Sequence, residues 1–373
     1  ASDVYKRQDW NDRLIGIKGT RGVGKTTFLL QYAKEKFGTD RSCLFVNMNN
    51  FYFSQYSLVD FAGEFVKRGG KVLLIDQVFK LPDWSHDLRT CYERYPQLKI
   101  VFTGSSVMRL KDENPELNGI VKSYNLRGFS FREFLNLQTG NHFSAYTLDE
   151  ILHNHEHIVK TILPHINPLN YFQDYIHHGF YPFFLEKRNF SENLLKTMNM
   201  MIEVDILLIK QIELKYLSKI KKLLYLLAVD GPVAPNVSQL ATEIQTSRAT
   251  VMNYIKYLAD ARLINMVYPK GESFPKKPAK IMMHNTNLMY SIYPVKVEEQ
   301  DVLETFFVNT LWKDHKINKG DKGTSFLVDN TLHFRICAEG SKYKSNPNIY
   351  YAMHKMEIGH GDQIPLWLFG FLY

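Results

Sequence analysis

A glycine-rich segment, Gly19–Thr26, is the feature that most constrains the fold of this chain. It reads Gly-Thr-Arg-Gly-Val-Gly-Lys-Thr and follows a short apolar run at residues 14–18. After it, apolar residues recur at helical spacing as far as Phe37, and Gly38 ends the pattern as a glycine following a helix commonly does. The segment therefore predicts a strand, a tight turn and a helix in immediate succession.

The spacing GxxxxGK[ST] indicates that this turn is a phosphate-binding loop. Glycines let the backbone curl so that N–H groups point at phosphate oxygens, and a helix beginning at Lys25 adds the positive end of its dipole. Lys25 is expected to reach the β- and γ-phosphates, and Thr26 is expected to ligate Mg²⁺. The predicted cofactors are therefore ATP and Mg²⁺. The alternative is a turn that merely joins strand to helix. The expected cradle comprises Gly19, Thr20, Arg21, Gly22, Val23, Gly24, Lys25, Thr26 and Thr27.

Apolar runs of strand length alternate with helical patterns up to about residue 102, which favours an α/β fold with a parallel sheet covered on both faces. Asp76 follows the run 72–75 and is expected to hold Mg²⁺ through water or through Thr26. The alternative is that Asp76 caps the next helix. Thr103, at the end of the next strand, is a candidate sensor of the γ-phosphate, with Ser105 as the other candidate.

Composition sets outer limits on the class of protein. The chain has 373 residues, 45% of them apolar and 23% charged, so it is long enough for several domains with buried cores. Its longest apolar run, about residues 223–229, is far shorter than the ~20 residues of a membrane span. Three widely spaced cysteines favour a reducing cytoplasm over a disulfide framework. The net charge of +8 permits a nucleic-acid or acidic partner.

A helix-turn-helix pattern occupies the middle of the chain. Ser247 stands where an N-cap opens the second helix, and 263–268 predicts the first strand of a wing. Arg248, Asn253 and Lys256 are expected to face outward and to contact DNA. Packing of the winged helix against the ATPase part of the chain or against a protein partner is the alternative. The apolar stripe comprises Leu240, Ile244, Val251, Ile255 and Leu258, and the basic wing comprises Lys270, Lys276, Lys277 and Lys280.

The order of these parts resembles a known family. The segments 76–84, 101–106 and 128–134 (the last reading GFSFREF) look like those of bacterial and archaeal AAA+ ATPases of the AAA_14/DUF4143 type. The apolar ending 364–373, which predicts a buried final strand, is similar to that of the Bacteroidetes members. The resemblance implies an AAA+ core with a P-loop parallel sheet, a helical lid, a winged helix and an α+β nuclease-like C-terminal domain.

The resulting domain prediction has five parts. Residues 1–8 resemble the translation of a sequencing adapter and are interpreted as a scar, an ordinary polar N-terminus being the alternative. The others are an AAA+ core at 9–140, a helical lid or linker at 141–216, a winged helix-turn-helix at 217–275 and a degenerate nuclease-like domain at 276–373.

Two departures from the family pattern bear on activity. The resemblance implies a glutamate after Asp76, where this chain has Gln77. Glutamine cannot take a proton from water, although it can orient one, so hydrolysis is expected to be slow. In the C-terminal part, Glu304 and Asp329 match the first acids of a nuclease, but Arg335 stands where a further carboxylate is expected, and a cation there repels a metal.

Two functions follow from this reading. The first is a Mg-ATP-dependent switch in which Lys25, Gln77 and Thr103 serve slow hydrolysis. The second is a non-catalytic DNA- or protein-binding regulator that uses the winged helix and keeps an idle nucleotide site.

Overall fold

The computed structural model describes residues 10–108, 110, 114–321, 323–342 and 344–373, which divide into two units. The first unit comprises the described residues up to Gly128 together with Glu203–Gln211. The second comprises Phe129–Ile202 and Ile212–Tyr373. The segment 1–8, interpreted as a scar, lies outside the described residues.

The first unit is built on a five-stranded sheet in the order β2-β3-β4-β1-β5, in which all neighbouring strands are parallel. This arrangement confirms the predicted α/β fold with a parallel sheet. The strands are β1 (Leu14–Gly19), β2 (Cys43–Asn47), β3 (Val72–Asp76), β4 (Lys99–Ser105) and β5 (Lys122–Asn125).

Helices α1 (Lys25–Lys36), α2 (Leu58–Lys67) and α3 (Trp84–Arg94) connect these strands. Every residue of β3 is buried, as expected for a strand covered on both faces. The partly buried side chains of Val204 and Ile209, from the segment 203–211, pack against the core of this unit. Because parallel strands end at the same edge of a sheet, β1, β3 and β4 bring the phosphate-loop, Asp76 and Thr103 regions together.

The second unit begins with a largely helical region. Ser130 and Thr147 each form a capping box at a helix start, with Glu133 and Glu150 respectively, so these polar side chains determine where the helices begin. The helices of this region are α4 (Phe131–Thr139), α5 (Leu148–Ile162), α6 (Leu169–Asp174) and α7 (Phe190–Met200). Helix α7 continues as a π-helix, Met201–Ile206, and then as the short α8 (Leu207–Ile209).

Three further helices and a two-stranded antiparallel sheet form the middle of this unit. The helices are α9 (Leu217–Asp230), α10 (Val237–Glu243) and α11 (Arg248–Asp260). The strands are β6 (Ile264–Val267) and β7 (Lys280–Met283). The Ser247 hydroxyl accepts a hydrogen bond from the Thr250 N–H, so this residue caps α11 as its sequence position indicates.

The C-terminal part contains α12 (Thr286–Ile292), α13 (Glu299–Leu311) and a five-stranded sheet in the order β12-β11-β10-β9-β8. Pairing of β10 with β11 and of β11 with β12 is parallel, whereas β8, β9 and β10 pair antiparallel. These strands are β8 (Ile317–Lys319), β9 (Phe326–Val328), β10 (Leu332–Cys337), β11 (Ile349–Met353) and β12 (Gln363–Pro365).

The apolar ending of the chain is buried, but the predicted final strand is wrong over most of its length. Only β12 is a strand, and Leu366–Phe371 forms a 3₁₀ helix in which every residue is buried. A continuous apolar run is compatible with either a buried strand or a buried helix, and periodicity cannot distinguish them. None of the helices in the described part of the chain has the length and apolar character of a bilayer-crossing segment.

Candidate functional site

The predicted phosphate-binding loop connects β1 to α1 and is curled by its glycines. Gly22 and Gly24 have φ angles of 85° and 92°, a left-handed conformation that glycine adopts without steric cost. A Cβ atom at Gly19 would lie 2.6 Å from the Leu126 carbonyl oxygen, so no larger residue fits there without movement. All residues of the expected cradle, Gly19 to Thr27, lie in this loop and the first turn of α1.

Helix α1 begins without a capping side chain at Gly24. Its first-turn N–H groups, which include those of Thr26 and Thr27, have no partner within the helix and require an external acceptor. The Thr26 and Thr27 residues are exposed, so an oxyanion can approach this end of the helix. The geometry suits an anion held by backbone N–H groups and the helix dipole.

Lys25 reaches back across the loop. Its Nζ donates hydrogen bonds to the Gly19 and Thr20 carbonyl oxygens, at 2.8 and 2.7 Å. Burial lowers the pKa of Lys25 to about 8; the Asp205 and Asp76 carboxylates act to raise it, and the Arg21 guanidinium acts to lower it. A cation that is costly to keep charged without a close anion is therefore placed in the loop.

Asp76 is the centre of a polar cluster at the carboxyl end of β3, where its residue is 1% exposed. Its carboxylate accepts hydrogen bonds from the Thr26 hydroxyl (2.9 Å), the Asn47 amide nitrogen (3.0 Å) and the Thr103 hydroxyl (2.6 Å). Hydroxyl and carboxylate oxygens are the ligands that Mg²⁺ prefers, and Mg²⁺ commonly keeps waters and substrate phosphates as its other ligands. The Thr26–Asp76 pair therefore fits the expected metal.

Asn47 belongs to this cluster, and sequence reasoning missed it. It is the last residue of β2 and pairs in register with Asp76 on β3. The sequence did carry a signal for Asn47: it directly follows the apolar run of the strand that comes before the strand ending in Asp76. A polar residue there reaches the same edge of a parallel sheet.

Thr103 has a different set of partners from the one expected of a phosphate sensor. It is fully buried, its hydroxyl donates to Asp76, and the same oxygen accepts the Gln77 backbone N–H at 2.9 Å. Contact with a γ-phosphate stays a prediction. Ser105 is also buried, and its hydroxyl oxygen accepts the Val107 N–H at 3.3 Å.

Gln77 occupies the position next to Asp76 in a left-handed backbone conformation, with φ 58°. Such a conformation costs a non-glycine residue of order 1–3 kcal/mol, and its recurrence at functional sites makes the residue notable. Gln77 is half-buried, and within the described part of the chain its side-chain amide has no hydrogen bond. The amide is therefore available to a ligand or water.

Arg21, inside the loop, forms an ion pair with Asp205. The Nη2–Oδ1 distance is 2.6 Å, and the side chains are 23% and 4% exposed respectively. Asp205 comes from the π-helix that lies more than 180 positions further along the chain, so no local sequence pattern could indicate it.

The residues expected to contact DNA are only partly presented to solvent. Arg248 and Asn253 are exposed, and the Lys256 ammonium pairs with Asp260 at 2.6 Å, one turn further on α11; contact of these residues with DNA stays a prediction. The wing lysines are also largely engaged: Lys270 donates to the Asn330 carbonyl oxygen, Lys276 pairs with Glu272, and Lys280 pairs with Glu304.

The nuclease-like acids lie in ion pairs of their own. Glu304 pairs with Lys280, and Asp329 accepts from His315 at 2.7 Å and from the Lys316 N–H. The Arg335 guanidinium donates to the Lys342 carbonyl oxygen. Within the described residues, no three His, Cys, Asp or Glu side chains form a group that could hold a metal.

Comparisons with protein families match two parts of the chain. Residues 11–135 match AAA_14, described as an AAA domain, and residues 169–298 match DUF8612, a domain of unknown function. The expected DUF4143 type was not found; DUF8612 stands in its place. MJ1637, an uncharacterized protein of Methanocaldococcus jannaschii, is 28% identical over 294 residues, which is 74% of this chain. The chain spans 61% of the length of that relative.

Solved structures give weak overall similarity. The Aeropyrum pernix Orc1 protein in complex with DNA has a TM-score of 0.32 and 10% identity, covering 78% of this chain and 88% of that one. AMPPCP-bound DnaA from Aquifex aeolicus has a TM-score of 0.26 and 15% identity, covering 69% and 85%. The match to an AAA domain over residues 11–135 covers the five-stranded parallel sheet and the glycine-rich loop of the first unit.

Proposed function

We propose that the chain binds Mg²⁺-ATP at the loop of residues 19–27 and acts as a nucleotide-dependent switch. The observation that carries this proposal is the convergence of Thr26 and Thr103 on the buried Asp76 carboxylate, beside the Lys25 ammonium and an uncapped helix start. A merely structural turn has no need of a buried carboxylate, a partly buried lysine and a helix start that lacks a capping side chain.

Each side chain has a specific role in this proposal. The N–H groups of the first turn of α1 and the Lys25 ammonium bind the β- and γ-phosphates, exchanging loop carbonyls for phosphate oxygens. Thr26 holds Mg²⁺, with Asp76 as its hydrogen-bonded neighbour, and the metal when bound neutralises phosphate charge. Asn47 and Thr103 orient the Asp76 carboxylate.

Hydrolysis is proposed to be slow. The Gln77 amide can orient a water molecule by hydrogen bonds, but it cannot remove a proton from it. The positive φ of Gln77 and its backbone hydrogen bond to Thr103 support a fixed position for this side chain at the end of β3. A long-lived ATP-bound state suits a switch better than a rapid ATPase.

ATP binding by the full chain tests the proposal. Lys25→Ala is expected to weaken Mg²⁺-ATP binding by about a hundredfold or more, because it removes a charged partner of the phosphates. Lys36→Ala removes the same charge at the exposed far end of α1 and serves as the matched control. Failure of the folded wild-type chain to retain ATP in the presence of Mg²⁺ would overturn the proposal.

A second candidate function is contact with DNA through α11, read as the recognition helix of a winged helix. It is favoured by the exposed Arg248 and Asn253 near the Ser247-capped start of that helix. The pairing of Lys256, Lys276 and Lys280 with carboxylates limits the available positive charge. Retention of a labelled duplex that falls steeply with salt, and that Arg248→Ala reduces, would support it; retention that Arg248→Ala leaves unchanged would refute it.

A further inference from the structure

Asp205 places a negative charge where the proposed nucleotide would bring its own. Its carboxylate is 2.6 Å from the Arg21 guanidinium and is nearly inaccessible to solvent. Arg21 lies at the third position of the loop, between Thr20 and Gly22. The buried Arg21 Nε–H has no acceptor within the described part of the chain, so this guanidinium retains a free donor even while it is paired.

The charge of Asp205 acts on more than one cation. It is the neighbouring charge with the largest effect on Lys25, whose pKa it raises against the effect of burial. It also acts to raise the pKa of Lys80, which burial and the Arg21 charge lower. The Asp205 carboxylate therefore pairs with Arg21 and also favours the charged forms of Lys25 and Lys80.

A triphosphate requires the same cations. Phosphate oxygens close to Arg21 and Lys25 would meet the Asp205 carboxylate in a poorly solvated site, where repulsion between like charges is strong. Two arrangements therefore have low free energy. In one, Asp205 pairs with Arg21; in the other, the phosphates take the place of Asp205 beside Arg21 and Asp205 moves away.

The place of Asp205 in the chain gives such a movement a consequence. Residues 203–211 pack with the first unit through Val204 and Ile209, whereas the chain on both sides of them belongs to the second unit. Asp205 lies in a π-helix, Met201–Ile206. π-Helices are rare in proteins, and those that occur are often found at functional sites. Displacing Asp205 therefore pulls on a segment that is continuous with the second unit at both ends.

We propose that Asp205 is a built-in competitor of the nucleotide phosphates: its carboxylate holds the Arg21 guanidinium of the loop, and its release on ATP binding carries the signal to the second unit. This inference rests on the proposed ATP binding. It adds an electrostatic gate, contributed by a segment outside the matched AAA domain at 11–135.

The test compares the affinity of the full chain for nucleotides with and without the Asp205 charge. Asp205→Asn is expected to bind Mg²⁺-ATP at least about tenfold more tightly than wild type, ADP with a smaller gain, and adenosine without change, because only phosphates compete with the carboxylate. Glu203→Gln removes an exposed carboxylate from the same segment and is the matched control. In an Arg21→Ala background, the Asp205→Asn gain is expected to shrink.

Hydrogen exchange on the wild-type chain gives a second measurement that does not depend on a variant folding. ATP is expected to raise amide exchange in residues 203–209 while lowering it in the loop 19–27. Equal or weaker ATP binding by Asp205→Asn, or unchanged exchange in 203–209 on saturation with ATP, would overturn the inference. Those outcomes leave the proposed function intact, because it fails on a different result, namely that the folded wild-type chain binds no ATP in the presence of Mg²⁺.

Discussion

Replacing Thr103 with valine tests whether the Asp76 cluster determines the site. Valine has nearly the same shape as threonine, so packing at the end of β4 is conserved while the hydroxyl is lost. Two hydrogen bonds disappear: the 2.6 Å bond donated to Asp76 and the 2.9 Å bond accepted from the Gln77 N–H. The Asp76 carboxylate and the Gln77 N–H then lack the hydroxyl as a hydrogen-bond partner.

The expected cost follows from the kind of bond. A hydrogen bond to a charged group contributes about 1.5–3 kcal/mol, and a buried N–H left without an acceptor costs about 1–3 kcal/mol. The Asp76 carboxylate loses only one of its three hydrogen bonds, because those from Thr26 and Asn47 remain. We expect a loss of about 3 kcal/mol from the stability of the first unit, which is roughly a hundredfold increase in its opening.

Hydrogen exchange of β3 and β4 amides measures this loss within the first unit, independently of the second. Thr103→Ser keeps the hydroxyl and removes only a methyl group, so it is the matched control and is expected to lose less. ATP affinity should fall with Thr103→Val, because Asp76 and the Gln77 backbone are no longer oriented. Surface substitutions usually change stability by about 0.5 kcal/mol or less. If the opening free energy that hydrogen exchange gives for Thr103→Val lies within that margin of the wild-type value, the reasoning is refuted.

Three other predictions follow from the same geometry. Because burial holds the pKa of Lys25 at about 8, below the ordinary 10.5, the empty protein loses this proton above pH 8 and ATP affinity should fall by up to about tenfold per pH unit above that value. A titration from pH 7 to 9.5 checks this, and a comparable fall in Lys25→Arg, which stays charged, would contradict it. Gln77→Glu should raise ATP turnover by about 10²-fold or more, measured as phosphate release, since glutamate can serve as the general base; equal turnover would show that Gln77 is not the limit. Glu304→Gln should destabilise the second unit by about 2 kcal/mol in urea unfolding, because it leaves Lys280 less compensated in a largely buried pair, whereas Glu339→Gln in an exposed pair should change little. A loss for Glu304→Gln no larger than that for Glu339→Gln would contradict a structural role of the pair.

The local elements of the first unit could be predicted because their signals are local. Gly19–Thr26 lies between an apolar run and a helical pattern, and Asp76 directly follows a continuous apolar run. Both features depend on neighbours within about ten positions. The same is true of Ser247, whose hydroxyl caps a helix that starts at the next residue.

One expectation failed where two conformations share one pattern. The apolar ending of the chain supports a buried strand and a buried helix equally well, and packing of Gly370 against Phe131 accompanies the helix. The pairing of Lys256 with Asp260 also became visible only in the structure.

What the sequence by itself determined is the kind of chemistry available at one sheet edge: a glycine-rich loop, a lysine, a hydroxyl and a carboxylate at the ends of successive strands. Only the tertiary structure decided which partners these groups have. Asn47 and Thr103 reach Asp76 because β2 and β4 flank β3, and Asp205 reaches Arg21 because a distant helical segment packs with the first unit. The physical reason is that hydrogen bonds and ion pairs act over a few ångströms of space, whereas sequence patterns report only separations along the chain.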